Sequence, residues 1–240
     1  MSKEGFLLIN KPPGKSSFDM VQAVRRLSQI KKVGHAGTLD PFASGLLVLA
    51  LGKSFTKQIS LFQNLDKEYT VRFCLGITTD TLDCYGAITQ KDSFSISKED
   101  LSQQLKEIIP SFLGDIEQIP PIYSAKKVKG KPLYKYAREG KDVEIKPTSI
   151  SIRSLKITDI TVGSVPLISM TVQCSKGTYI RTLVSDIAKS LGTIAYAKDI
   201  IRSKIGPHCV SNSLLFNALS KEVIHQNLFD LASTSLSTSS

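Results

Sequence analysis

The chain has 240 residues, 41% hydrophobic and 22% charged, which suits a folded protein with a sizeable core and excludes global disorder. Lysine and arginine number 31 against 21 aspartate and glutamate, and the resulting +10 favours a polyanionic partner such as nucleic acid. Cys74, Cys84, Cys174 and Cys209 form no CxxC pair or zinc-like cluster, and the longest apolar run, residues 46–51, is too short for a bilayer. With no apolar leader at the N-terminus, the expectation is a reduced, cytoplasmic protein with no membrane association.

In chain order, Phe6-Leu7-Leu8-Ile9 reads as a short buried strand stopped by Pro12 and Pro13. Ser16 or Ser17 then caps a helix carrying Met20, Val21, Val24 and Leu27 on one face, with Gly34 just beyond its end. Residues 45–51 are continuously apolar, so they form a buried strand or a core helix, and periodicity does not choose between them. Tyr69, Val71, Phe73 and Leu75 alternate as one face of a strand. Ser97 with Asp100 makes a capping-box-like start to a helix bearing Leu101, Leu105, Ile108 and Ile109. Residues 162–174 are rich in β formers. Gly177-Thr178 then introduces a helix with Ile180, Leu183, Val184, Ile187 and Leu191 inward and Gly192 as its stop. Strands precede helices irregularly, which points to α+β rather than to repeated βαβ units. Residues 233–240 are a low-complexity Ser/Thr tail, expected to be disordered.

The densest chemistry lies in Gly34-His-Ala-Gly-Thr-Leu-Asp-Pro-Phe-Ala-Ser-Gly45, with one carboxylate, one imidazole and three glycines between apolar segments. Pro41 biases Asp40 toward extended backbone, and the glycines admit close approach by another molecule, so Asp40 is expected on a sharply shaped loop. The spacing G-H-x-G-T-L-D-P-x-A-x-G resembles the signature of the bacterial tRNA pseudouridine synthases of the TruB type. Cys174-Ser-Lys-Gly-Thr-Tyr-Ile-Arg181, Asp66-Lys-Glu-Tyr69, Thr78-Thr-Asp-Thr-Leu-Asp83 and Asn10-Lys-Pro-Pro-Gly-Lys-Ser-Ser17 resemble further motifs of that family, in the family's order.

The resemblance implies isomerisation of uridine 55 in the T stem-loop of tRNA to pseudouridine, without a cofactor and with Asp40 as nucleophile. By the same resemblance Tyr69 lies against the target base as a candidate general base, Arg181 lies in the active site and Tyr179 lines it. Asp83 is expected to pair with Arg181, and Lys11 to lie near the site. Chemistry adds expectations of its own. A guanidinium holds a carboxylate bidentately and favours its ionised form, a part suited to Arg181. His35 has the thickness of a base and fills the gap when a uridine leaves its stack, and Ile200 gives the detached base apolar cover.

Between Tyr123 and Lys146 there are eight Lys or Arg, Lys126, Lys127 and Lys129 among them, against three Asp or Glu, interleaved with tyrosines. That mixture suits an RNA-contacting loop, and it resembles the family's insertion over the T loop. Gly14-Lys15-Ser16 and Gly52-Lys53-Ser54 look like P-loop endings, but Ile9 and Leu47 stand where the earlier glycine belongs, which rejects an NTPase. Asp80 and Asp83 have no further carboxylate near them in sequence, so no metal site is expected.

The fold implied is α+β: a central mixed, largely antiparallel sheet flanked by helices, the pseudouridine synthase fold, with a basic loop insertion at about 120–146. Residues 1–211 are the expected catalytic domain. Residues 212–240 are a short C-terminal extension, too short for the RNA-binding PUA domain of many members, and the expected state is a monomer. A non-catalytic RNA-binding protein or tRNA-folding chaperone on the same scaffold fits the charge equally. Asp40, Tyr69 and Arg181 separate the two.

Overall fold

The computed structural model describes residues 3–231, so the Ser/Thr tail at 233–240 lies outside the described residues. From the N-terminus come strand β1 (Gly5–Lys11), helix α1 (Ser17–Ser28), β2 (Val33–Ala36), β3 (Ser44–Leu51), and the short helices α2 (Lys53–Thr56) and α3 (Ile59–Gln63). Next are β4 (Lys67–Leu75), β5 (Ile77–Thr79), β6 (Ile88–Lys91), α4 (Lys98–Ile108) and β7 (Gly114–Gln118). The basic insertion holds β8 (Lys127–Val128), β9 (Lys131–Pro132) and α5 (Leu133–Arg138). β10 (Thr148–Thr161), β11 (Leu167–Cys174), α6 (Ile180–Ser190) and β12 (Ala195–Ile205) follow, then β13 (His208–Cys209), β14 (Leu214–Leu215) and α7 (Lys221–Gln226). The fold is α+β, with mixed, largely antiparallel strand pairing and helices packed on the sheet.

Two compact units divide the chain, residues 1–67 with 201–240 and residues 68–200. In the first, β1 pairs antiparallel with β3 along its whole length, β2 pairs antiparallel with β3, and β14 runs parallel to β1. Residues 201 and 202 of β12 run parallel to Ser44 and Gly45. The apolar run at 45–51 is therefore a strand. Both its faces are covered, by one cluster around Leu7, Met20, Val24, Leu47, Leu49 and Ile224 and by another around Phe6, Leu46, Val48 and Phe62. A strand buried on both faces loses the alternation that would announce it.

Helix α1 starts at Ser16, whose Oγ accepts from the Asp19 amide at 3.1 Å while the Asp19 carboxylate accepts from the Ser16 amide at 2.7 Å, a complete capping box. It ends earlier than Gly34, at Gln29, which takes the left-handed conformation itself. Residues 214–229 join this unit's core: β14 pairs with β1, Ile224 and Leu228 are buried, and Phe229 bridges Phe6.

In the second unit, β10 pairs antiparallel with β11 and β7. Val71, Phe73 and Leu75 are buried as their alternation requires. Ser97 caps α4 through the Asp100 amide, and the helix buries Leu101 and Leu105. The inward stripe of α6 is as expected, with Ile180, Leu183, Val184 and Ile187 buried. No helix among the described residues is long and apolar enough to cross a membrane.

Candidate active site

Asp40 sits half-buried on the loop between β2 and β3, where no regular pairing holds the backbone. The chain's own donors hold the loop instead, carbonyl by carbonyl. Arg202 donates from Nη2 to Gly37 O at 3.1 Å and from Nε to Leu46 O at 2.8 Å. Ser17 Oγ, buried at the start of α1, donates to Leu39 O at 3.2 Å and accepts from the Leu39 amide at 2.9 Å. Lys11 Nζ reaches Pro41 O at 3.3 Å, and the Gly14 amide donates to the same carbonyl at 2.8 Å. Asp40 O itself accepts from the Ala43 amide at 3.1 Å, closing a turn across Pro41. A loop held this way presents its side chain in a defined direction without helix or strand.

Lys11 is fully buried, and its ammonium also donates to Lys15 O at 2.6 Å and Pro12 O at 3.0 Å. The three bonds match an ammonium's three donors, two within the segment 12–15 and one to the Asp40 loop, so Lys11 ties the one to the other. Burial pushes this amine down to about 8, helped by the positive charge of Arg202 and opposed by the carboxylates of Asp40 and Asp19. His35 lies half-buried on β2, and burial followed by the Arg202 charge lowers its pKa, so it is a neutral ring near pH 7. Among the described residues its buried Nδ1 meets no hydrogen-bond partner.

One glycine of this motif is required by the chain itself. Gly45 has φ of +107°, and a Cβ there would lie 2.6 Å from Arg202 N and closer still to Arg202 O. At Gly45 the close approach is made by the backbone of β12.

In the second unit, Arg181 and Asp83 are both buried and face each other with Nη1 to Oδ2 at 3.7 Å, the pairing expected of them. Arg181 also donates to Thr81 O at 2.6 Å and to Tyr123 O at 2.8 Å, which ties the turn before Asp83 and the root of the basic insertion to α6. The Asp83 carboxylate accepts from Thr81 Oγ1 at 2.8 Å and from the Tyr85 amide at 2.9 Å. Tyr179 is the half-buried residue before α6. Buried Gln118 clasps it, accepting from its amide at 2.8 Å and donating to its carbonyl at 3.0 Å. Tyr69 is half-buried on β4, and Ile200 is buried on β12.

The basic insertion is more self-engaged than its composition indicates. Lys127 and Lys129 are exposed, whereas Lys126 is half-buried and bonded to Thr148 Oγ1. Lys131 lies 4.7 Å from the Tyr136 ring centre, and Arg138 lies 5.4 Å from that of Tyr134. The interleaving of bases and tyrosines is thus partly cation-on-ring packing within the loop. Among the described residues no three His, Cys, Asp or Glu side chains gather as a metal site.

Arg202, Ser17 and Gln118 escaped the sequence reading. Each acts through backbone carbonyls or amides distant in the chain, and sequence periodicity carries no signal for such bonds. The one available clue is that Arg202 shares strand parity with Ile200, which puts a charged residue on an inward face.

The model of the TruB family pseudouridylate synthase N-terminal domain matches residues 25–180. A tRNA pseudouridine synthase B from Protochlamydia amoebophila is 42% identical over 211 residues, covering 88% of this chain and 78% of that protein. Another, from Thermotoga maritima, is 40% identical over 222 residues, covering 92% of this chain and 69% of that one. Among solved structures, a chain of a Cbf5–Nop10–Gar1 complex superposes with a TM-score of 0.66 at 24% identity, over 90% of this chain and 53% of its own length, a likeness of fold.

Proposed function

This chain belongs to the TruB family of pseudouridylate synthases, and from that premise we propose that it converts uridine 55 in the T stem-loop of tRNA to pseudouridine. Asp40 is the nucleophile, acting in a monomer in the cytoplasm. The observation that carries the reading is the loop around Asp40, where Arg202, Ser17 and Lys11 hold the backbone on both sides of one carboxylate. A nucleophile must be aimed before it reacts, and positioning of this kind removes much of the entropy from the barrier.

The reaction exchanges a C–N for a C–C glycosidic bond. Asp40 adds covalently to the uridine, the bond to N1 breaks, the uracil turns in place, C5 closes on the sugar, and the bond to Asp40 breaks to give back the free carboxylate. The C5 proton leaves and N1 gains one, so atoms balance with no redox partner. Tyr69 supplies an aromatic face for the base and a phenol to take the proton. Arg181, paired with Asp83, supplies buried positive charge. His35 fills the gap left by the flipped uridine, and its neutral ring enters a base stack without the cost of desolvating a charge. Lys127 and Lys129 meet phosphates along the T stem.

Tritium release from C5-tritiated uridine in a T-loop transcript, in excess EDTA, tests the reading. Wild type should release tritium and Asp40→Asn should not, with both still binding the transcript. Binding without release by either leaves an RNA-binding protein on a synthase scaffold and refutes the assignment.

A further inference from the structure

Arg202 is among the largest fully buried side chains of the protein, on a short parallel contact between β12 and β3. Its guanidinium bonds a carbonyl on each flank of Asp40, Gly37 O before it and Leu46 O after it. Its main chain packs against Gly45, where a Cβ would lie 2.6 Å from Arg202 N. Side chain and backbone of one residue therefore grip the same loop at three points.

Neither apolar packing nor a lysine reproduces this. A buried methionine fills the space but gives neither carbonyl the bond that Arg202 supplies. An ammonium is a compact point donor on a flexible stem, while the planar guanidinium presents several N–H groups in a fixed fork. Lys11 holds the middle of the loop, at Pro41 O, through one of its donors, whereas the Arg202 guanidinium reaches carbonyls on both flanks of Asp40.

We infer that Arg202 is a positioning residue for the reaction: it holds the loop 37–46 at both ends so that the Asp40 carboxylate is presented at one depth and in one direction. This rests on the assignment of Asp40 as nucleophile. Arg202 touches no reacting atom in this account and acts through the backbone alone.

The test pairs Arg202→Lys, which keeps the charge, with Arg202→Gln, which keeps one donor group, in the full chain. Three quantities are compared with wild type: the single-turnover rate at saturating tRNA, the Kd for tRNA, and amide hydrogen exchange across 37–46 against that of the strand core 47–51. A misplacement of the nucleophile by about 1 Å is expected to slow chemistry on the order of 100-fold. The expected result for Arg202→Lys is that slowing, a Kd within about twofold of wild type, faster exchange confined to 37–46, and unchanged exchange in 47–51. Arg202→Gln should slow further, and free guanidinium should recover part of the rate of Arg202→Ala if that variant folds.

An unchanged rate in Arg202→Lys overturns the inference, as does a rate loss matched by an equal loss of binding. Faster exchange through 47–51 as well as the loop also overturns it, because Arg202 would then be supporting the whole unit. If wild type itself releases no tritium, the assignment of Asp40 fails separately, and loop exchange alone decides whether Arg202 fixes the loop.

Discussion

Gly45→Ala is the substitution with the most sharply defined cost. Gly45 has φ of +107°, a region a residue with a Cβ enters at about 1–2 kcal/mol. The new methyl would also meet the Arg202 main chain, 2.6 Å from its nitrogen and 3.0 Å from its carbonyl carbon. Those atoms belong to a paired strand and have no rotamer to change, so the β3–β12 contact must open. That contact is two residues long, Ile201 with Ser44 and Arg202 with Gly45. Losing its one or two hydrogen bonds costs about 1 kcal/mol each. The sum is about 2–4 kcal/mol, and at roughly 2–4 °C per kcal/mol for a chain of this length the melting temperature should fall by about 4–16 °C. Gly192→Ala is the control, since Gly192 also has a positive φ of +73° but a methyl there would meet nothing within 4 Å. Calorimetric melting of both variants separates the conformational penalty from the clash. If Gly45→Ala melts no lower than Gly192→Ala, the close approach of β12 to the Asp40 loop is not rigid and the reasoning fails.

Three further outcomes are expected. Folding lowers the Lys11 amine from 10.5 to about 8, so between those values the unfolded chain binds more protons and stability attributable to Lys11 rises with pH. That contribution is fully present above 10.5 and lost as pH falls through about 8. It is on the order of 3 kcal/mol, and urea unfolding at about pH 8 and about pH 10 should show it in wild type but not in Lys11→Met. Asp83→Asn leaves Arg181 buried without its carboxylate and should cost about 3 kcal/mol in urea unfolding, whereas a loss under about 1 kcal/mol would mean the carbonyls of Thr81 and Tyr123 suffice. Lys127→Ala with Lys129→Ala should reduce the slope of log Kd against log salt by about 1.4–1.8, while Lys126→Ala, which removes a bond to Thr148, should change it less.

Local chemistry was legible in the sequence where neighbours in the chain decide it. The cap at Ser16, one of the two serines the sequence offered, the cap at Ser97, the alternation of Val71, Phe73 and Leu75, and the apolar stripe of α6 depend on residues a few positions apart, and each formed as its pattern implied. The motif around Asp40 was likewise legible as a shaped loop, because Pro41 and the glycines restrict the backbone wherever they stand. Tertiary structure decided what no pattern encodes. Residues 45–51 became a strand because layers cover both faces, and continuous apolarity is silent about that. Lys11, expected near the site, gives its three donors to carbonyls at 12, 15 and 41, which no pattern names. Tyr134 and Tyr136, among the tyrosines interleaved in the basic insertion, carry Arg138 and Lys131. Arg202 became the clamp of the loop only when a parallel contact brought it beside Gly45. Sequence determines which groups are available and how the nearby backbone bends; long-range pairing alone determines which carbonyl a buried cation finds.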